Sequence, residues 1–413
     1  MDTGAAVFIQ KNLLFINRGD GVEALTFEEL FEIGKNSELK DVKVLSADDN
    51  GFSEHPLEII TVRDYEGEMI ELNLSMGRKI KVTKDHPVLI YKNEEIKTVL
   101  AEEVKAGDNI LIPAKTGKEH NREVEIDVIE ELSKDLSLLE RTLIHSHQLV
   151  EKNFGKIKES DYYRHPYDVK KTGSVRLSTV LDVENIHLFE GRLFTSKSRS
   201  CHIPTKITVN TDFARLLGYF AAEGWISEDA GRNGIKRKRI GFTFGVHEDE
   251  YISDVKDILS SLNIHFIERI SGNSYTLLIS SNILAYIFEN VLKTGTNSYN
   301  KKIPPQIFVS PSYIKEEYLK GLLRGDGCIT KLNNSKNLCI ELTTVSRKLA
   351  HSTVILLQHL GIVATIKEKF FKGSKVKTYL IRINGIENIE RVGKWLGRKW
   401  ENYIAIAKNY KEK

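Results

Sequence analysis

Two short stretches, LLGYFAAEG at 216–224 and LKGLLRGDG at 319–327, repeat one pattern: a glycine five residues before an acid, and a glycine directly after it. The acids are Glu223 and Asp326. In a helix, Gly218 and Ala222 share one face, as do Gly321 and Gly325, because residues four apart are neighbours on the helix surface. Two such small faces packed about a pseudo-twofold axis bring the helix ends, and both carboxylates, to one site. Adjacent carboxylates repel, so a pair that stays ionised calls for a cation, and oxygen ligands favour Mg2+ or Mn2+ over zinc. Such an ion suits phosphodiester hydrolysis, since it activates water and stabilises charge on the attacking and leaving oxygens. Acids are disfavoured at a helix C-terminus by the macrodipole. Two of them placed there against local electrostatics point to function.

Each motif is followed by a strand pair, then a helix ending in a strand: DVKDILSSLNIHFIERI in the first half and TVILLQHLGIVATIKEK in the second. Leu262 then corresponds to Leu360 and Ile264 to Ile362. The chain therefore compares with itself at a separation of about one hundred residues, and two copies of an αββαβ unit argue against a solenoid. The strand pairs, WISEDAGRNGIKRKRIGFTFG and CITKLNNSKNLCIELTT, offer β-ribbons of the kind that fit a DNA major groove. Lys236, Arg237, Lys238 and Arg239 form the densest basic run, and Lys336 is the basic candidate of the second pair. Strand alternation sends the run to both faces of its sheet, so about half of it can face DNA.

Charge is distributed to match. The net +3 conceals −7 over residues 1–118, which leaves +10 for residues 119–413, where a polyanion should bind. At 413 residues and 41% hydrophobic content the chain is expected to form two or three domains. No run of about 18 apolar residues and no signal-like N-terminus appears, so a soluble, cytoplasmic protein is expected, without a membrane partner. Cys201, Cys328 and Cys339 are far apart and form no CxxC pair, so neither a zinc ribbon nor a disulfide framework is indicated.

The N-terminal 1–118 reads as an all-β domain. VFIQ, LLFIN, VKVLSA, LEIITVRDY, EMIELNLS, RKIKVT, PVLIYK and NILIPA are β-branched or alternating and are separated by turn residues. The exception is LTFEELFEIGKN, a short amphipathic helix capped by Thr26 and closing near Gly34. Residues 119–205 read as an interposed helical and basic segment, and residues 206–413 as α+β, with repeats at about 206–305 and 306–413.

The paired motifs resemble the dodecapeptides of the LAGLIDADG homing endonucleases in the two-copy, single-chain form, over about 206–413. That resemblance implies a monomer with internal pseudo-twofold symmetry that cuts both strands of a long duplex site and leaves 3′ overhangs. It makes Glu223 and Asp326 the metal-binding catalytic acids. NKKIPPQIF at 300–308 resembles the segment that supplies an active-site lysine, which implies Lys301, with Lys302 its neighbour; GRKWENY at 397–403 resembles the second such segment and implies Lys399. A lysine beside a scissile phosphate stabilises developing charge or poises water. DYYRHPYDVKKTGSVRLSTVL resembles a module that helps grip DNA in some archaeal inteins, which makes Arg164, Lys170, Lys171 and Arg176 candidate phosphate contacts; a plain linker is the alternative.

GRKIKVTKDHPVLIY at 77–91, followed by AEEVKAGDNILIP, is similar to the Hint (hedgehog/intein) splicing fold. In that family the Thr-x-x-His element, here Thr83 and His86, polarises the upstream scissile peptide, and a histidine suits the proton transfers involved. The junction nucleophile is expected near Ala6, where alanine stands instead of Cys or Ser, either natively or by replacement. The sequence closes on NYIAIAKNYKEK, without the His-Asn end of an intein, so the splicing fold is expected to be incomplete at its C-terminus and unable to finish the reaction alone. Its partners would be host-protein exteins and a C-terminal intein fragment. Two rival readings stay open: a LAGLIDADG-fold DNA- or RNA-binding protein without cleavage, and an autoprocessing intein with an inactive nuclease.

Overall fold

The computed structural model describes residues 13–19, 21–36, 39–48, 51–114, 121–159, 166–195, 201–230, 236–331, 338–370, 375–404 and 406–407. Among them no helix is long and apolar enough to cross a membrane, and the three cysteines are free thiols.

The N-terminal region is rich in strands. β1 (Leu13–Asn17), β2 (Val22–Thr26), β3 (Lys43–Asp48) and β4 (Gly51–Pro56) form a sheet in the order β2-β1-β3-β4. α1 (Phe27–Asn36) enters from β2 through a capping box, in which Thr26 Oγ1 accepts from the Glu29 amide at 3.2 Å and Glu29 Oε2 accepts from the Thr26 amide at 2.9 Å. β5 (Met69–Asn73) pairs with β6 (Lys79–Thr83), while β7 (Pro87–Lys92) lies between β8 (Glu95–Leu100) and the two-residue β9 (Asn109–Ile110). LEIITVRDY, expected as a strand, is not one: Ile59 is 75% exposed and Val62 52%. The β3–β4 hairpin explains this: Lys43, the first residue of β3, is opposite Pro56, and the pairing ends one residue on, where the Leu57 amide donates to the Val42 carbonyl at 2.7 Å. VFIQ lies outside the described residues, and NILIPA contributes only its first two positions to a strand.

Residues 121–209 hold more sheet than the helical reading anticipated. β10 (Val124–Asp127), α2 (Val128–Ser133), α3 (Leu136–Leu139), β11 (Leu143–His145), α4 (His147–Lys152), α5 (Phe154–Glu159), α6 (Pro166–Thr172), β12 (Ser174–Arg176) and α7 (Leu177–Val180) follow one another. β13 (Arg192–Phe194), β14 (Ile203–Pro204) and β15 (Lys206–Val209) complete the segment. Three N-caps divide what reads as one helical run: Asp127, Asp135 and Ser146 each accept from the amide three residues on. β-branched TLIH, between the second and third caps, joins the sheet β12-β11-β13-β14.

The two repeats are longer than αββαβ. The first comprises α8 (Thr211–Glu223), β16 (Gly224–Ala230), β17 (Lys236–Gly245), α9 (Asp249–Ser261), β18 (Ile267–Ser271), β19 (Ser274–Ser280) and α10 (Asn282–Tyr286). After α11 (Pro305–Val309), the second comprises α12 (Ser312–Asp326), β20 (Gly327–Lys331), β21 (Leu338–Thr344), α13 (Arg347–His359), β22 (Ala364–Phe370), β23 (Lys377–Ile383) and α14 (Ile386–Gly393), before a last turn, α15 (Arg398–Glu401). The sheets have matching orders, β16-β17-β19-β18 and β20-β21-β23-β22. Each repeat has a strand that the αββαβ expectation lacked: SYTLLIS, after a tight Gly272-Asn273 turn in which Gly272 takes φ +57°, and KTYLIRI in the second repeat.

The chain forms two compact units, one of Met1–His120, Pro304–Ser312 and Cys328–Lys413, the other of Asn121–Ile303 and Tyr313–Gly327. In the first, the N-terminal strands share a core with the second repeat: Phe15 meets Phe308 edge-on at 5.9 Å, Phe308 meets His359, and Arg78 donates to Gln358 at 2.6 Å. The second holds the interposed segment, the first repeat and α12, with both acids.

Candidate functional site

The site is built on α8 and α12. Asn210 caps α8, its Oδ1 accepting from the Phe213 amide at 2.9 Å, and the sequence that follows buries every residue from Phe213 to Ala221 except Arg215. A methyl group on Gly218 would stand 2.0 Å from the Tyr318 carbonyl oxygen and 3.0 Å from the Gly321 Cα. One on Gly321 would stand 2.1 Å from the Arg215 carbonyl oxygen. The helices thus touch backbone to backbone, an approach that only glycine permits. One turn on, a methyl at Gly325 would lie 2.4 Å from the Ala222 Cβ and 3.4 Å from Glu223 Oε1. Glu223 ends α8 and Asp326 ends α12, so the carboxylates belong to the same end of the contact. Glu223 is half-buried and Asp326 exposed.

Lys301 is the third group of this site. It is 2% exposed, its Nζ donates to the Phe220 carbonyl, and the same atom lies 3.4 Å from the centroid of the Phe220 ring. Burial pushes its pKa down to about 7, against the opposing pull of the Asp326 and Glu223 charges. The loop before it is tied down: Asn300 Oδ1 accepts from the Thr296 and Asn297 amides at 2.8 and 2.9 Å, and the Ile226 amide donates to the Thr296 carbonyl at 2.9 Å. Lys302 turns its amide to the Thr294 carbonyl at 2.9 Å. Lys399 is half-buried in α15 and belongs to the other compact unit.

Alternation divides the basic run of β17. Ile240, Phe242 and Phe244 are buried on one face, so Lys236 and Lys238 share it; Arg237 and Arg239 share the open face with Thr243, whose Oγ1 accepts from the Trp225 indole at 3.1 Å. Three of the four are already matched with acids: Lys236 with Glu228 at 2.7 Å, Lys238 with Glu289, and Arg239 with Asp229. Among the described residues Arg237 makes no ion pair. Arg269, opposite Thr276, extends the open face onto β18.

In the interposed segment Lys170 and Lys171 are exposed at the end of α6, Lys170 over the Phe154 ring at 5.3 Å, while Arg176 donates to the Glu140 carbonyl at 2.6 Å. Arg164, Lys336 and Ala6 lie outside the described residues. Thr83 ends β6 and His86 precedes β7, both buried, with the His86 amide donating to the Thr83 carbonyl at 3.2 Å. Burial lowers the His86 pKa. The imidazole borders a cavity of about 440 Å³ lined also by Phe15, Arg347 and His351.

Sequence reasoning missed a charged cluster beside the acids: Arg215 and Tyr219 of α8, Asp254 of α9, and Glu317 and Arg324 of α12. Its one local signal is an arginine inside an otherwise apolar helix.

Residues 210–293 and 314–397 each match the family model described as LAGLIDADG-like domain. An uncharacterized protein of Methanocaldococcus jannaschii is 49% identical over 412 residues, which cover 99% of this chain and 45% of that protein. A DNA polymerase of Thermococcus sp. (strain GE8) is 26% identical over 86% of this chain and 22% of its own length. A probable translation initiation factor IF-2 of M. jannaschii is 24% identical over 92% of this chain and 32% of its own. The chain spans less than half the length of each of these relatives. Among solved structures, I-DmoI in complex with DNA and Mn aligns with 46% of this chain and 98% of its own, at 18% identity and a TM-score of 0.35, too loose a likeness to carry an argument.

Proposed function

From the premise that the chain carries two LAGLIDADG-like domains, at residues 210–293 and 314–397, we propose that it is a divalent-metal-dependent endonuclease that cuts both strands of duplex DNA at one long site. The observation that carries this reading is the glycine contact of α8 and α12, which gathers Glu223 and Asp326 at one end with Lys301 buried beside them.

The donor set fits a hard cation. Both side chains are carboxylates, and both end helices whose dipoles add negative potential. Two carboxylates that leave room for water and phosphate oxygens suit Mg2+ or Mn2+. Such an ion, when bound, supplies an activated water and a counter-charge for the phosphate. Glu223 and Asp326 would hold it. Lys301, whose amine is poised near neutrality, would stabilise added negative charge when protonated and accept a proton when neutral. The open face of β16-β17-β19-β18 would lie on DNA, with Arg237, Arg239 and Arg269 toward the phosphates.

We further propose that this enzyme is an intein. Similarity over most of the chain recurs in a DNA polymerase, an initiation factor and an uncharacterized protein, always as a minor share of their length, as expected of an insert indifferent to its host. In this reading the strand-rich N-terminal region is a Hint domain using Thr83 and His86, and Ala6 marks the junction.

The test is incubation with Mg2+ and DNA carrying the uninterrupted host-gene junction. Double-strand cleavage that Asp326→Asn abolishes and His86→Ala leaves intact supports the nuclease; tight binding without cleavage favours a DNA-binding protein that keeps only the fold.

A further inference from the structure

The glycine contact sets how closely α8 and α12 approach, yet it does not set their register. A face of Gly218, Ala222, Gly321 and Gly325 carries no long side chain, and its one projection, the Ala222 methyl seated over Gly325, is a shallow obstacle to sliding or rotation. Something directional must fix the relative height of the two helix ends.

The charged cluster has that property. Asp254 projects from α9 to both helices at once. From α8 it accepts Arg215 Nε at 2.9 Å, Arg215 Nη2 at 3.0 Å and the Tyr219 hydroxyl at 2.9 Å. From α12 it accepts Arg324 Nη1 at 2.8 Å. Arg215 also binds Glu317 of α12 directly and Asp212 at 2.9 Å, and Arg324 reaches the Tyr219 hydroxyl at 3.1 Å. Lys320 faces Glu317 at 3.2 Å and Glu250 faces Arg324 at 3.9 Å, so each charged member has an opposite neighbour. Arg324 precedes Asp326 by two residues, and Tyr219 precedes Glu223 by one helical turn.

The device exists once. Aligning Glu223 with Asp326 places Tyr318 opposite Arg215 and Leu322 opposite Tyr219, and aligning Leu262 with Leu360 places Ser352 opposite Asp254. None of these counterparts is charged, so the cluster is no by-product of repeat symmetry. The two-point fork of Arg215 on Asp254 is the kind of bond that carries geometric specificity.

We infer that Asp254 is a positioning residue: it locks α8 and α12 in register and thereby sets the spacing of Glu223 and Asp326. This inference rests on the nuclease reading of that acid pair. Loss of the lock should shift one carboxylate against the other without touching the DNA face, so turnover should suffer and DNA affinity should not.

The experiment uses the full chain with Asp254→Asn, measuring kcat and KM on the junction DNA, Mn2+ binding by electron paramagnetic resonance, and thermal unfolding. A displacement near 1 Å predicts about a hundredfold lower kcat with KM unchanged, together with weaker Mn2+ binding. A kcat within twofold of wild type overturns the inference. Should Asp254→Asn not fold, Arg215→Lys keeps the charge and loses the two-point fork on Asp254; a folded Arg215→Lys protein must show a reduced kcat, and wild-type turnover overturns the inference equally. A wild-type chain that neither cleaves nor loses Mn2+ binding on Glu223→Gln sinks the nuclease reading itself, whereas cleavage at the wild-type rate by Asp254→Asn sinks only the lock.

Discussion

Replacing Gly321 by alanine tests the backbone contact directly. The new methyl would start 2.1 Å from the Arg215 carbonyl oxygen and 2.8 Å from the Tyr219 amide nitrogen, both backbone atoms that cannot rotate aside. Restoring an ordinary separation of about 3.5 Å requires the helices to part by more than 1 Å at this point. Overpacking of a closed contact costs about 1–3 kcal/mol, and a rigid backbone neighbour places this one at about 3 kcal/mol or above. A shift of 1 Å at the acid pair lowers turnover by about a hundredfold. Denaturant unfolding of the full chain, followed by tryptophan and far-ultraviolet signals, reads the first effect, and cleavage well below the unfolding midpoint reads the second. Gly155→Ala is the control: nothing lies within 4 Å of the added methyl in α5, and an alanine there should stabilise by about 0.5–1 kcal/mol. If Gly321→Ala unfolds and cuts like the wild type, α8 and α12 do not touch as described and the site has no structural basis.

Three further outcomes are expected. Lys301→Met should lower cleavage by about a hundredfold or more with DNA affinity retained, read by gel cleavage and filter binding; unchanged turnover would remove Lys301 from the chemistry. Arg237→Ala should weaken DNA binding and reduce the salt dependence of affinity by about one phosphate contact, whereas Lys238→Ala, on the buried face and matched with Glu289, should change it less; fluorescence anisotropy across a salt series separates them. Burial, with Arg347 nearby, pushes the His351 pKa down to about 4. Between that value and the unfolded value near 6.5 the unfolded chain binds the extra proton, so stability rises with pH across this window and falls as pH drops through it. His351→Leu should flatten the dependence between pH 4 and 6.5 in an unfolding series, and an unchanged slope would place its origin elsewhere.

The acid pair was legible because its information is local: a glycine, an acid and a second glycine at fixed spacing, written twice. The Thr26 cap and the strand-rich character of the N-terminal region were legible for the same reason. What escaped depends on partners far along the chain. SYTLLIS is a strand because β17 lies beside it, and LEIITVRDY is not one because β3 ends before reaching it. The division of TLIH from its helical surroundings follows from three caps that look ordinary one at a time. The Asp254 cluster draws on positions from 212 to 324, each unremarked as a surface charge until the helices meet.

The order in which the units are encoded bears on how the protein is made. Asn121–Ile303 lacks α12, which arrives with Tyr313–Gly327, and the N-terminal strands await their core partners in Cys328–Lys413. Neither unit can close as its first residues leave the ribosome. Contacts such as Arg78 with Gln358, 280 positions apart, form only once residue 358 has been made. High contact order of this kind slows folding and prolongs the exposure of unpaired edges. A ribosome that stalls before residue 313 would release a chain with one acid and no glycine partner, so the acid pair comes into being only after α12 is made.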